Sequence, residues 1–151
     1  MKQIQALVVS AALAIGMAAP ASAGVNDPEV IIYRFPGVAD NGNVATAFHC
    51  TNFSGADEII RFVTRNGPGN LTQNKTTVIN HLETRTAVTH SNAAYSTDLI
   101  LTTGKLLGST AIAATSTNVI CTAMSIDAAN PVPTGVALRG IRFNPVAGSQ
   151  E

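Results

Sequence analysis

Val44-Ala45-Thr46-Ala47-Phe48-His49-Cys50-Thr51 is the stretch on which the fold reading turns. Read with a period of two, Val44, Thr46, Phe48 and Cys50 share one face, and Ala45, Ala47 and His49 share the other. Such alternation belongs to a strand, whose successive side chains point to opposite sides of a sheet. The face carrying Cys50 is the expected core face. Asp40-Asn41-Gly42-Asn43 ahead of it is a strong turn signal, and 52–57 behind it is a polar loop.

The same pattern continues in both directions. Upstream, 29–34 is a strand rich in Val30, Ile31, Ile32 and Tyr33. Downstream, 58–65 sets Ile60 and Phe62 against Ile59 and Arg61, and Asn66-Gly67-Pro68-Gly69-Asn70 is a turn. Segments 71–79 and 82–89 are threonine-rich strands expected at edges, and 94–102 places Leu99 and Leu101 on one face. Segments 110–115 and 118–126 read as a hairpin around Ser116 and Thr117. Pro131 and Pro133 mark a loop that cannot join a ladder, 135–143 is the last strand, and a tail begins at Pro145. About eight or nine short strands with frequent turns predict an all-β fold, an antiparallel β-sandwich of immunoglobulin-like architecture.

Composition agrees. After residue 23 the chain holds 17 threonines, 12 asparagines, one methionine and no tryptophan. Threonine is stiff at its first torsion and suits a half-exposed strand, and asparagine with glycine supplies turns.

Residues 1–23 read as a secretory signal peptide. Lys2 gives a positive start, 4–19 is apolar, and Ala21-Ser22-Ala23 is a small-x-small cleavage pattern. A membrane anchor is the competing reading, but the run is short and alanine-rich and no basic stop-transfer cluster follows. This leaves 24–151 as a single domain with no transmembrane segment, exported to the periplasm or beyond the cell. Losing Lys2 takes the basic residues from 9 to 8 against 9 acidic ones, a net charge of −1. No basic stripe exists to neutralise phosphates, so nucleic acid is excluded as a partner.

Cys50 and Cys121 form an even pair in an exported chain, which predicts a disulfide, with two buried free thiols as the alternative. Joining an early strand to a late one, the bridge is expected to pin the two sheets through the core, as in immunoglobulin-like domains. Phe62 stands where the usual tryptophan packs. Val119, two residues before Cys121, replaces the tyrosine of a tyrosine corner, so the reading extends to the architecture and not to that family.

Three segments carry a further likeness: His49-Cys50-Thr51-Asn52; Ile120-Cys121-Thr122-Ala123-Met124 with Asp127-Ala128; and Arg142-Phe143-Asn144-Pro145. They resemble a group of small exported bacterial β-sandwich proteins of unassigned function. The resemblance covers most of the mature chain and implies no transferable activity.

The chemistry-bearing residues are few. A blue-copper site needs one cysteine, two histidines and a weak axial ligand. Cys121 and Met124 have a suggestive spacing, but no histidine lies between or after them. Structural zinc lacks its paired cysteine spacing. His81 and His90, at the two ends of one expected strand, are surface or ligand candidates, as is His49 opposite Cys50. No metal, no cofactor and no catalytic set is expected. There is no Gly-x-Ser-x-Gly elbow, His49 and Cys50 face apart, and Asp57 and Glu58 do the same. The expected role is non-catalytic: structural, adhesive or assembly work at the cell surface or in the periplasm, by self-association or pairing with a surface component through a strand edge. A small-ligand or carbohydrate-binding module is the alternative, ahead of a secreted enzyme.

Overall fold

Alternation of the kind seen in 44–51 recurs in a computed structural model that describes residues 24–143. The expected signal peptide at 1–23 and the tail expected from Pro145 lie outside the described residues. Among the described residues ten strands form: β1 (Val30–Asp40), β2 (Val44–Asn52), β3 (Glu58–Asn66), β4 (Leu71–Ile79), β5 (Thr84–Val88), β6 (Leu99–Ile100), β7 (Leu106–Ala114), β8 (Val119–Asp127), β9 (Gly135–Leu138) and β10 (Ile141–Arg142). They make two five-stranded sheets, ordered β10-β1-β7-β3-β4 and β6-β5-β2-β8-β9. Every pairing is antiparallel except β5 with β6, which is parallel.

The core fills the space between the sheets with the faces the alternation marks. Phe35 and Phe62 from the first sheet meet Phe48 from the second, with ring centroids 5.6 Å and 5.8 Å from that of Phe48. Ile32, Ile60, Ile112, Cys50 and Val119 complete it, all fully buried. Burying such side chains contributes about 1.5–3 kcal/mol each before the entropy of ordering them is set against it. A smaller apolar cluster lies on the outer face of the second sheet, where Ala45, Ala47, Val88 and Ile126 sit beneath Tyr95 and Met124. Both faces of β2 are therefore apolar, which is why Ala45 and Ala47 are buried opposite the Phe48 face.

Several boundaries differ from the sequence expectation. The first strand runs on to Asp40, with bulges at Ile31/Tyr33 and Pro36/Val38, the second of them directly after Pro36, which cannot donate to the ladder. Segment 94–102 contributes only Leu99–Ile100 as a strand. Ahead of it, the Asn92 side chain accepts from the Tyr95 N–H at 2.8 Å and donates to Thr97 at 2.9 Å, so the chain turns locally. The expected hairpin of 110–126 is an arch instead. β7 belongs to one sheet and β8 to the other, and Ser116, accepting from the Asn118 N–H, sits in the crossing. The last strand likewise splits into β9 and β10, one in each sheet.

The arch changes the meaning of the cysteines. β8 lies beside β2, and Cys50 and Cys121 are direct register partners with sulfurs at bonding distance. The pair clamps two neighbouring strands of one sheet and does not pin the sheets together. This placement, with the strand order, does not establish the immunoglobulin-like arrangement; what holds is an all-β, two-sheet sandwich.

Candidate functional site

The three histidines do not converge. His49 projects from β2 on the outer face of the second sheet. Its Nδ1 is 3.1 Å from Thr86 Oγ1 on β5, and its ring meets the Tyr95 ring edge-on at 4.7 Å between centroids. Tyr95 donates its O–H to Met124 Sδ at 3.0 Å. Burial under this cover lowers the His49 pKa below the usual histidine value, favouring the neutral ring. His81 lies in the turn before β5, where its Nδ1 accepts the Gly55 N–H at 3.0 Å.

His90 belongs to a third environment. Its Nδ1 is 2.6 Å from Asp40 Oδ1, and the Thr103 O–H donates to Asp40 Oδ2 at 2.6 Å. Next to this group, Thr46 and Thr89 both donate to the Ala39 carbonyl, and Thr46 Oγ1 accepts the Ala39 N–H. The result is a polar clasp joining the end of β1 to β2 and to the segment after β5. A carboxylate against one ring nitrogen is the arrangement that orients a general base. Thr103 is occupied as a donor to the same carboxylate, so the group closes on itself. Asp40 and Thr103, separated by 63 residues, were not among the sequence candidates, and no local motif marks them.

Glu58 is the other unexpected group. It is fully buried at the start of β3, with the Thr115 O–H donating to Oε2 and no hydrogen-bond partner for Oε1 among the described residues. Being closed from solvent, it meets no substrate. Among the described residues no three His, Cys, Asp or Glu side chains gather where an ion would fit.

The sheet edges are the more informative surface. Among the described residues β4, nine residues long, pairs with β3 on one side and with no strand on the other. Its Lys75 donates to the Ile100 carbonyl at 2.7 Å and its Gln73 to the Thr102 carbonyl at 3.2 Å, tying the first sheet to the β6 edge of the second. Among the described residues the opposite side of the sandwich is closed by β9, of four residues, and β10, of two. Between them the chain crosses from one sheet to the other at Arg139-Gly140.

No family model matches the sequence, and neither a curated protein nor a solved structure matches it. The expected resemblance to small exported sandwich proteins is therefore not shown. Among the described residues no helix is long and apolar enough to cross a membrane. The bonded cysteine pair fits an exported chain.

Proposed function

We propose that this chain is a non-catalytic exported β-sandwich with a structural, adhesive or assembly role at the cell surface or in the periplasm, exercised by strand pairing. The single observation behind the reading is the state of the sheet edges. Among the described residues one long edge, β4, carries a backbone row without a strand partner, and the opposite side is closed by two short strands. An unpaired row of N–H and C=O groups is a template for another strand. Light scattering across a concentration series, with binding assays on surface polymers, tests it. Self-association or polymer binding is the expected result. A strict monomer that binds no polymer overturns the reading.

A second reading has one observation in its favour. On the outer face of the first sheet, Ala111 and Ser109 of β7 form the floor of a shallow trough. Arg34 stands in register with Ala111 on one side, and Arg65 with Ser109 on the other. A shallow floor of small residues flanked by longer side chains suits a sugar ring. A glycan array that includes acidic glycans decides this alternative, and an array without hits removes it.

A further inference from the structure

We propose that residues 135–143 are an exchangeable arm, and that the groove the arm fills takes the same arm from a second copy of this chain. The inference rests on the assembly reading above and names its partner and its strand.

The arm is held by little. β9 pairs with β8 only from Ala123 to Ile126, and β10 pairs with β1 only at Tyr33 and Arg34. One further backbone bond runs from the Phe143 N–H to the Ile32 carbonyl, at 2.8 Å. Val136 is 74% exposed and Ile141 55%, while Leu138 packs against the core. Segments with so little buried apolar surface open at low free-energy cost, well below global unfolding.

The groove beneath is nonetheless selective. A Cβ at Gly140 would overlap the Phe35 ring, and a Cβ at Gly135 would overlap the Ser125 carbonyl oxygen. The arm backbone therefore lies directly on the body at two points. A strand with side chains at both points does not seat. Gly135-Val136-Ala137-Leu138-Arg139-Gly140 meets that demand, and so does the arm of any second copy. The rim adds Arg142, which donates to the Thr117 carbonyl at 2.8 Å and stands 5.8 Å from the Tyr33 ring centroid. An exchanged arm would make these same contacts, so the closed and exchanged forms would differ only at the hinge.

The hinge favours exchange. It includes Pro131 and Pro133, and Pro131–Thr134 has no ladder partner. Its compact form depends on small side-chain turns: Asp127 accepts the Ala129 N–H at 3.1 Å and Asn130 accepts the Val132 N–H at 2.9 Å. Proline restricts φ and supplies no donor, which favours the extended form in which an arm reaches away from its own body.

The test uses the full chain in four forms: wild type, Pro131→Ala with Pro133→Ala, Gly140→Leu, and Thr76→Lys with Val78→Lys on β4. A synthetic peptide with the sequence of residues 133–143 is the probe. Native mass spectrometry and light scattering are expected to show a wild-type dimer. Its fraction should fall several-fold in the proline variant, vanish in Gly140→Leu and persist in the β4 variant. The Gly140→Leu chain, its own arm unseated, should bind the wild-type peptide one to one and reject a peptide carrying the same leucine. The proline substitutions lie outside the groove, so their effect on the dimer decides the matter even where Gly140→Leu folds poorly. Association that falls in the β4 variant and is untouched by the proline variant overturns arm exchange and leaves the assembly reading standing. A chain monomeric in every form, taking no peptide, overturns arm exchange, and the assembly reading falls with it only when surface polymers go unbound as well.

Discussion

Cys50 of β2 and Cys121 of β8 stand directly opposite each other in one sheet, with Cα atoms 4.1 Å apart and sulfurs at bonding distance, across 71 residues of sequence. The bond thus reinforces a ladder that runs unbroken from Val44 to Asn52. Its stabilisation comes mainly from restricting the unfolded chain. Replacing both cysteines by alanine is expected to cost about 2–4 kcal/mol while leaving the far-ultraviolet spectrum of the sheet in place. Urea unfolding of oxidised, reduced and substituted protein checks this. A collapse of the spectrum on reduction would mean the bond holds the fold itself.

His49 makes stability depend on mild acid. Its folded pKa is lowered by burial, so the unfolded chain takes up a proton more readily than the folded one. The stability it contributes is complete above the ordinary histidine value of 6.5 and is lost as pH falls from there toward the folded value. His49→Gln should flatten the loss between neutral pH and the acid side of that value. Denaturant midpoints of both proteins at several pH values would reveal it, and identical slopes would exclude the mechanism.

Glu29 titrates in the opposite sense. The Arg61 guanidinium bonds both of its carboxylate oxygens, one at 2.7 Å, and holds its pKa below the usual 4.5. The contribution is present above that value and disappears as pH falls through the lowered one. The pair is partly buried but still open to solvent, with side chains 37% and 20% exposed, so Glu29→Gln should cost about 1 kcal/mol or less, and added salt should shrink the difference. Thermal unfolding at low and high ionic strength separates this from a packing effect, which salt would leave unchanged.

Asp40 holds the clasp between the sheets. Asp40→Asn keeps the shape but removes the charge that faces His90 and accepts from Thr103. The expected cost is about 1–2 kcal/mol. Amide exchange should speed up at Leu101 and Thr103, whose N–H groups donate to the Val88 and Thr89 carbonyls. Uniform acceleration over the whole chain would instead indicate global destabilisation.

Much of the fold was legible locally. Phe48 and Cys50 were placed on the core face by period two alone, and Ile60 and Phe62 in the same way. The turn at 66–70 was equally plain, since the Asn66 side chain and backbone close it without outside help. Less legible was 91–98. Its outward cover of Ala45 and Ala47 hides polar-looking strand faces from any alternation rule, so His49 read as a surface residue when it is half-buried under Tyr95. Of the candidate site, the three histidines were named from sequence, but Asp40 and Thr103, which decide what His90 does, were not.

The division follows the range of the forces. Side-chain alternation, turn chemistry and the even cysteine pair act over a few residues or through composition, and from these the sequence by itself determined an all-β sandwich and favoured a Cys50–Cys121 bond over two free thiols. Which sheet a strand joins depends on contacts made across the core after the chain has crossed it. Val119 follows Ser116 and Asn118 into the second sheet because β8 finds its partners on β2, far away in sequence. Only the tertiary structure decided that 110–126 is an arch, that Cys50 and Cys121 share a sheet, and that 135–143 divides between both. Sequence records the preference of each segment for a strand. The choice of neighbour belongs to long-range packing, whose energy no single segment contains.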